Sequence, residues 1–409
     1  MTTEKDTVNT RAVFFVGGFD PKSPEAFFSR VDRENGRFEQ LWDADITHQA
    51  FDGGDADIVC TQFQTSGQDE GHAWSTTTDF HYLSIDDIVL KDFSRNFLVR
   101  LVRYIISFAD YTVTGTGMKF FWHGWRFSMY ALYPMAMLLA SLGLSLIAGS
   151  WAGSIGSSYP TACALIAFLA CFAFCYQFVM KRGHVLHLMD LWSFSTEYQY
   201  RRRPDMDDKL NRFADQIYAA ASSNQYDEIL TIGHSTGGAL ILDATARVAE
   251  RHPDFATHAA NVTVLTVGST ALKIGLHPFS DWFRSRLKNL FEKTPVKWVE
   301  FQCVTDLINF HKTNPAELMR LDSTMQTPIH IDTIRVKNMI GSEVYGRIKN
   351  NYFRIHYQFV YANTQKYYYD FPAFCFGPAY LAQRLQVARD MKSLNPYLHN
   401  LSGRTRELS

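Results

Sequence analysis

The sequence lacks charged residues over one long stretch: residues 127–180 contain no Asp, Glu, Lys or Arg. Charged residues make up 20% of the 409-residue chain, so this gap is not a property of its overall composition. An ionised side chain in the hydrocarbon core of a bilayer is costly, and an apolar stretch of this length is typical of membrane-spanning segments. The gap therefore predicts a part of the chain that lies in lipid.

An excess of basic residues is also absent. The chain has 40 Lys and Arg against 41 Asp and Glu, a formal net charge of −1. Proteins whose main partner is a nucleic acid usually carry a strong positive field. The charge balance argues against that class.

No pattern typical of a metal or cofactor site is present. The sequence contains no H-E-x-x-H, no paired Cys/His clusters, no P-loop and no dinucleotide-binding fingerprint, so we expect neither metal nor cofactor. The six cysteines are scattered without a C-x-x-C pair, which is typical of unpaired thiols in a reducing compartment. Residues 1–11 are polar, and we expect no cleavable secretory signal.

Two apolar runs lie within the uncharged stretch, over 127–150 and 160–180, joined by a short Gly/Ser turn. Each run is about as long as the ~20 helical residues needed to cross a bilayer, so we expect a two-helix transmembrane hairpin over 127–180. A buried hairpin in a soluble core, or one lying in the membrane interface, is the alternative.

Basic residues flank the hairpin on both sides, while the connecting turn carries no charge. Lys119 and Arg126 precede the first run, and Lys181 and Arg182 follow the second. Because positive charge is retained on the cytoplasmic side, we expect the N- and C-terminal parts in the cytoplasm and the turn outside. The chain is thus expected to be a multi-pass membrane protein with two spanning helices.

The remainder alternates apolar strand patterns with amphipathic helix patterns, which predicts an α/β fold with a mostly parallel sheet and helices on both faces. The predicted strands cover 12–16, 56–63, 228–232, 262–267 and 296–304. The predicted helices cover 24–42, 92–109, 206–222, 237–251 and 279–293. We expect the apolar face of the helix over 92–109 to pack in the core.

The sequence Gly233-His234-Ser235-Thr236-Gly237 fits the pattern G-x-S-x-G. The apolar run E-I-L-T-I precedes it and a helical pattern follows, which is the strand–turn–helix context that a nucleophile elbow requires. The pattern predicts Ser235 as a catalytic nucleophile. A glycine-rich turn without catalysis is the alternative.

The form G-H-S-T-G-G is similar to the elbows of lipases and carboxylesterases, and over 11–126 and 181–378 the chain resembles the α/β-hydrolase superfamily. The resemblance implies hydrolase-like parts over 1–126 and 181–409, interrupted by the hairpin over 127–180. It also implies an oxyanion hole that includes the backbone N–H of Thr236. Gly18 and Phe19 take the place of the loop that supplies the second donor, although the chain lacks the H-G-G-G of many lipases and a plain tight turn explains the glycines as well.

The resemblance further implies a Ser, acid, His order along the chain. Asp306 ends the strand pattern over 298–305 and is the expected acid, whereas Glu300 lies within that strand and Asp243 points away from the site. His356 is the favoured base. His330 is the alternative, and His311 is too close in sequence to the acid.

These residues together predict a membrane-anchored serine hydrolase that cleaves a carboxylic ester through a Ser235–His356–Asp306 triad and an acyl-enzyme. The expected substrate is lipid-like or carries an acyl chain, because such esters concentrate at membranes. An acyltransferase with the same triad and a catalytically silent membrane scaffold are the alternatives. The sequence does not indicate protein partners.

Overall fold

A computed structural model describes residues 7–49, 57–69, 72–155, 158–258 and 261–391. The predicted start of a strand at residue 56 and part of the predicted turn at 151–159 lie outside these residues. The chain divides into two compact units. Unit 1 comprises Met1–Val89 and Arg203–Ser409, and unit 2 comprises Leu90–Arg202, which contains the predicted hairpin.

The described residues of unit 1 form an eight-stranded mixed sheet in the order β2-β3-β4-β1-β5-β6-β7-β8. Six neighbouring strands, from β4 to β8 in this order, pair in parallel, while β2, β3 and β4 pair antiparallel at one edge. The strands are β1 Thr10–Val16, β2 Ala44–His48, β3 Ile58–Asp69, β4 His72–Leu83, β5 Glu228–His234, β6 Val262–Val267, β7 Lys297–Cys303 and β8 His330–Ile334. The α/β class is confirmed, and the antiparallel edge was not predicted.

Helices connect the strands of unit 1 and follow the last one. The first is α1 Pro24–Trp42, and α2 Asp86–Phe93 runs across the boundary from unit 1 to unit 2. The helices within unit 2 are α3 Phe97–Val113, α4 Thr116–Ser154, α5 Pro160–Phe174 and α6 Val185–Gln199. Unit 1 continues with α7 Pro204–Ser222, α8 Gly237–Arg251, α9 Phe255–His258, α10 Ala271–Gly275, α11 Asp281–Lys293, α12 Pro315–Leu318, α13 Val336–Ile348, α14 Tyr352–Tyr357, α15 Phe371–Phe376 and α16 Leu381–Met391.

Local signals explain the first elements of unit 1. The apolar side chains of β1 are buried, as expected for a strand in the middle of a sheet. Helix α1 starts where predicted because the Ser23 side chain accepts a hydrogen bond from the N–H of Ala26 and Pro24 occupies the first helical position.

A buried ion pair ties the last part of unit 1 to its central strands. Arg11 of β1 donates to Glu228 of β5 at 2.7 Å. The same guanidinium donates to the carbonyl oxygens of Gly377 at 2.7 Å and Ala379 at 2.9 Å. All hydrogen bonds of this group are therefore made inside the protein, as a buried charge requires.

Unit 2 contains two helices that are long and apolar enough to cross a membrane, α4 and the helical stretch Pro160–Met180. In their most apolar stretches only 17% and 11% of the residues are buried. The stretch Pro160–Met180 comprises α5 and a π-helical turn, Cys175–Met180. Helix α4 begins eleven residues before the predicted run, and its regular geometry is interrupted at Gly124 (φ −163°, ψ 72°).

Small residues bring α4 and α5 close together. A Cβ atom on Gly149 would lie 2.9 Å from the carbonyl oxygen of Ala164 and 3.2 Å from the Cβ of Phe168. Gly153, one turn further along α4, faces the Cβ of Ala164 at 3.3 Å. Glycines four residues apart that allow close backbone contact are typical of helix pairs in membranes.

The predicted helix over 92–109 differs from the expectation. A break between α2 and α3 separates it into two helices, and the apolar face of α3 is not packed in a core. Leu98 is 69% exposed and Ile106 is 60% exposed. An apolar stripe at helical spacing has the same sequence signature whether it faces a protein core or another apolar medium, so the sequence alone did not distinguish the two.

Candidate active site

The turn between β5 and α8 has the backbone geometry of a nucleophile elbow. Strand β5 ends at His234 and α8 begins at Gly237, so the turn consists of Ser235 and Thr236. Ser235 has φ 58°, in the left-handed region that residues other than glycine seldom adopt. Its side chain is half-buried. The strained turn therefore presents the hydroxyl at the end of a buried strand.

Glycines at both ends of the turn allow the strand and the helix to approach this closely. A Cβ on Gly237 would collide with the carbonyl oxygens of Val16 and Gly17. A Cβ on Gly233 would lie 2.6 Å from the Cα of Gly238. The two glycines of the G-x-S-x-G pattern are thus required by packing.

The loop after β1 lies against Ser235. A Cβ on Gly18 would be 3.5 Å from the Oγ of Ser235, and the N–H of Asp20 donates to the carbonyl of Gly18 at 2.9 Å in a tight turn. Phe19, between these two residues, is buried. Two of the predicted oxyanion-hole residues, Thr236 and Gly18, are therefore neighbours of Ser235.

Sequence reasoning missed Lys273, which lies beside the elbow. The side chain is 1% exposed, and its Nζ donates to the hydroxyl of Thr236 at 3.4 Å. Burial lowers the pKa of Lys273 to about 7. The contact holds the Thr236 side chain and with it the turn that carries the expected oxyanion donor.

The predicted acid and base meet in the structure. His356 Nδ1 donates to Asp306 Oδ2 at 2.7 Å, although the two residues are fifty positions apart. They are 3% and 1% exposed, so the bond is shielded from water. An Nδ1–H bonded to a carboxylate leaves Nε2 as the acceptor, which is the tautomer a general base needs.

Further hydrogen bonds hold the acid in place. The second carboxylate oxygen of Asp306 accepts from the N–H of Ile308 at 2.9 Å. The amide of Asn309 donates to the carbonyls of Asp306 and Cys303 at 3.1 and 3.0 Å. Asn309 thus fastens the loop that carries Asp306 to the end of β7. Nothing in the sequence indicated this role.

His356 also lies against the segment to which the backbone of Ser235 is hydrogen-bonded. The N–H of Ser235 donates to the carbonyl of Val267 at 3.3 Å, and a Cβ on Gly268 would lie 3.3 Å from the Cε1 of His356. His356 Nε2 is buried and makes no hydrogen bond within the part of the chain that the structure describes, and Ser235 Oγ is not bonded to it. Such bonds are often long in unliganded sites and shorten when substrate binds.

The alternative histidines do not meet the acid. His330 starts β8 and pairs with Val299 near the beginning of β7, whereas Asp306 follows the carboxyl end of β7. Because the two strands are parallel, His330 and Asp306 lie at opposite edges of the sheet. His311 makes no hydrogen bond to Asp306.

The other acidic candidates have different partners. Asp243 forms ion pairs with Arg247 at 3.2 Å and with Arg286 at 2.5 Å. Glu300 lies within β7 and accepts a hydrogen bond from the hydroxyl of Thr266. Neither carboxyl group is hydrogen-bonded to His356.

His234, next to Ser235, contacts His356. Its Nε2 donates to the carbonyl of His356 at 3.2 Å, and the two rings are 4.5 Å apart. Burial and the neighbouring His356 hold the pKa of His234 well below its usual value. The neutral ring therefore positions the backbone of α14 through its one N–H and does not carry the second proton of an imidazolium at neutral pH.

A small cleft adjoins the Gly17–Gly18 side of the elbow. The residues that line it include Gly17, Gly18, Asp20, Lys22, Arg30 and His234. Within the described ranges, no three His, Cys, Asp or Glu side chains converge as a metal site would require.

No protein-family model, no curated protein and no solved structure matches this chain. The functional assignment therefore depends on the geometry and chemistry of the chain's own residues.

The buried Glu300 carboxyl leads to a prediction on stability and pH. Burial raises its pKa from 4.5 to about 8. Between these values the folded chain holds a proton that the unfolded chain has lost, so stability falls as the pH rises. We expect Glu300→Gln to raise the thermal midpoint relative to the wild type by an amount that grows from pH 5 to pH 8.

The matched control is Glu343→Gln, which removes a carboxylate that is 83% exposed and paired on the surface with Arg347. Its midpoint difference from the wild type should stay small and nearly constant over the same pH range. A pH-independent difference for Glu300→Gln would contradict the assignment of a protonated buried carboxyl.

Proposed function

We propose that the protein is a membrane-anchored serine hydrolase that cleaves carboxylic esters of lipid-like or acyl-chain substrates, with an α/β-hydrolase-like fold in unit 1. The observation that carries this proposal is the combination of a strained Ser235 at a strand–helix turn with a buried His356–Asp306 pair beside the same turn. A glycine-rich turn without catalysis would not require a buried His356–Asp306 hydrogen bond beside it. The G-H-S-T-G-G form of the elbow adds the resemblance to lipases and carboxylesterases.

In the proposed reaction, His356 Nε2 takes the proton of Ser235 as Oγ attacks the carbonyl carbon of the ester. Asp306 keeps the imidazole in the required tautomer and stabilises it once it is charged. The backbone N–H of Thr236, at the N-terminus of α8, donates to the oxyanion, and the loop of Gly18 and Phe19 is the proposed second donor. His356 then protonates the leaving alcohol, and water attacks the acyl-enzyme by the reverse proton transfers.

Membrane attachment is supported by the exposed apolar surface of unit 2. A core helix of a soluble protein is mostly buried, whereas α4 and Pro160–Met180 are mostly exposed. The exposed apolar side chains of α3, among them Leu98 and Ile106, add to this surface. We propose that lipid covers these side chains and that both ends of the hairpin lie in the cytoplasm, in keeping with the basic flanks.

Two other functions use the same features. An acyltransferase would use the same triad and differ only in the acceptor, an alcohol or amine in place of water. A catalytically silent membrane scaffold would keep the fold but catalyse no reaction. The buried His356–Asp306 hydrogen bond favours a catalytic role instead.

The test is covalent labelling by a fluorophosphonate, which reacts with activated serines. We expect the wild type to be labelled, and Ser235→Ala to remove the label. His356→Ala should slow labelling by roughly 10³-fold, because the general base is lost. His330→Ala is the matched control and should label within about twofold of the wild type. Gel fluorescence of isolated membranes after a carbonate wash measures both the reaction and the membrane attachment.

An unlabelled wild type would contradict the hydrolase and acyltransferase functions together and favour the scaffold. Equal losses in His356→Ala and His330→Ala would contradict the assignment of the base. If labelling occurs, the ratio of free acid to transferred acyl product from an ester substrate, measured with and without an added alcohol, separates hydrolysis from acyl transfer.

The orientation of the hairpin gives a separate prediction. In a cysteine-free background, a membrane-impermeant maleimide should label Ser158→Cys in intact cells, because this residue follows the outer end of α4. Lys349→Cys, on an exposed position of unit 1, should be labelled only after permeabilisation. The reverse pattern, or labelling of both variants from one side, would contradict the proposed orientation.

A further inference from the structure

The cleft beside the elbow contains an unusual buried cation. Arg30 of α1 is 8% exposed and lines the cleft. Its guanidinium makes no hydrogen bond or ion pair with any residue in the described ranges. Its neighbours are aromatic faces, with the ring centres of Phe27 and Tyr361 4.9 and 5.9 Å away.

A buried guanidinium cannot escape its desolvation cost by losing a proton, because arginine stays charged at any physiological pH. Buried charges are therefore paired in nearly all proteins. Stacking on Phe27 compensates part of the cost, and the guanidinium opens into the cleft, where its N–H donors have no partner from the described chain. An arrangement of this kind fits an anion that arrives from outside the chain.

The remaining charged groups of the cleft favour an anion. Lys22 adds a second cation, and its Nζ lies 4.9 Å from the ring centre of Tyr357. The one carboxylate that lines the cleft, Asp20, is already engaged, since it accepts from the hydroxyl of Tyr357 at 2.5 Å and from Lys22 at 3.5 Å. Burial and the charge of Arg30 lower the pKa of Lys22, as expected where positive charge is in excess.

The cleft and the nucleophile share one loop. Gly18 lines the cleft, and the same residue lies against Ser235. A group bound by Arg30 therefore belongs to a molecule whose reacting bond can lie at the elbow.

We propose that this cleft is an anion-binding subsite that recognises a phosphate or carboxylate group of the substrate through Arg30 and Lys22. The inference rests on the proposed hydrolase function and specifies its substrate class: an acyl ester that carries an anionic group near the bond to be cleaved. Arg30 offers a planar fork of donors that matches either group. Lys22 is the second contact.

The experiment compares substrate pairs that differ in charge. The first pair is 1-oleoyl-lysophosphatidate and 1-oleoylglycerol in detergent micelles, which share the acyl chain and the glycerol. The second pair is mono-p-nitrophenyl glutarate and p-nitrophenyl pentanoate. We expect the wild type to have the higher kcat/KM for the anionic member of at least one pair. The pair that shows it distinguishes a lipid phosphate from a carboxylate.

The variant Arg30→Met keeps the apolar bulk of the side chain and removes its charge. It should lower kcat/KM for the preferred anionic ester by roughly 10- to 100-fold, as the loss of a charge-assisted contact does, and leave the neutral ester nearly unchanged. Arg37→Met, on the same helix but 45% exposed and paired with Glu34, is the matched control and should leave the preference intact. No preference in the wild type, or its survival in Arg30→Met, would overturn the proposal.

A binding measurement separates failure of this inference from failure of the proposed function. Inorganic phosphate, compared with sodium chloride at the same ionic strength, should raise the thermal midpoint of the wild type and of Arg37→Met but not of Arg30→Met. If no ester is cleaved but this stabilisation is present, the hydrolase function fails and the anion site stands. If wild-type turnover is normal but neither charge preference nor stabilisation is found, the anion site fails alone. Should Arg30→Met unfold, the same comparisons with Lys22→Met, and with phosphate as a competitive inhibitor of the wild type, decide the question.

Discussion

The close approach of β5 and α8 is the constraint on which the proposed site depends. With glycine at 233 and 237, the helix starts directly behind the end of the strand, and the two residues between them have no room for a relaxed turn. Ser235 is therefore held in a left-handed conformation with its hydroxyl outward. The cost of this strain, of order 1–3 kcal/mol, is compensated by the buried packing of both elements. Asp306, His356 and the loop of Gly18, the other parts of the proposed site, all lie around this turn.

Charge is distributed according to the surroundings of each part of the chain. In unit 1, some buried charges are paired, as Arg11 is with Glu228, whereas the guanidinium of Arg30, which has no hydrogen bond or ion pair in the described chain, opens into the cleft. In unit 2, residues 127–180 contain no charged side chain, and the two long helices pack closely at Gly149 and Gly153. Both arrangements follow from the cost of leaving an ion unsolvated in an apolar medium.

The sequence predicted the elements whose signals are local. The cap at Ser23, the buried run of β1 and the elbow glycines each depend on neighbouring residues, and these elements are present. The first part of β3 was predicted as a strand, but the antiparallel edge was missed because the rest of β3 and the first half of β4 are rich in Thr, Ser and Gln and carry no apolar run. Asp306 and His356 were chosen from the Ser, acid, His order that the family resemblance implies. Their contact could be seen only in the folded chain, because the two residues are fifty positions apart. The cleft with Arg30 could not be predicted from the sequence, because the burial of this arginine and its lack of an ion pair depend on distant parts of the folded chain.

An experimental structure of the protein after reaction with a long-chain fluorophosphonate tests the central claim most directly, since the adduct resembles the tetrahedral intermediate. The account predicts phosphorus bonded to Ser235 Oγ, the phosphoryl oxygen within hydrogen-bond distance of the N–H of Thr236, and His356 Nε2 turned toward Ser235. A phosphoryl oxygen facing away from the turn, or an adduct on any other residue, would contradict it.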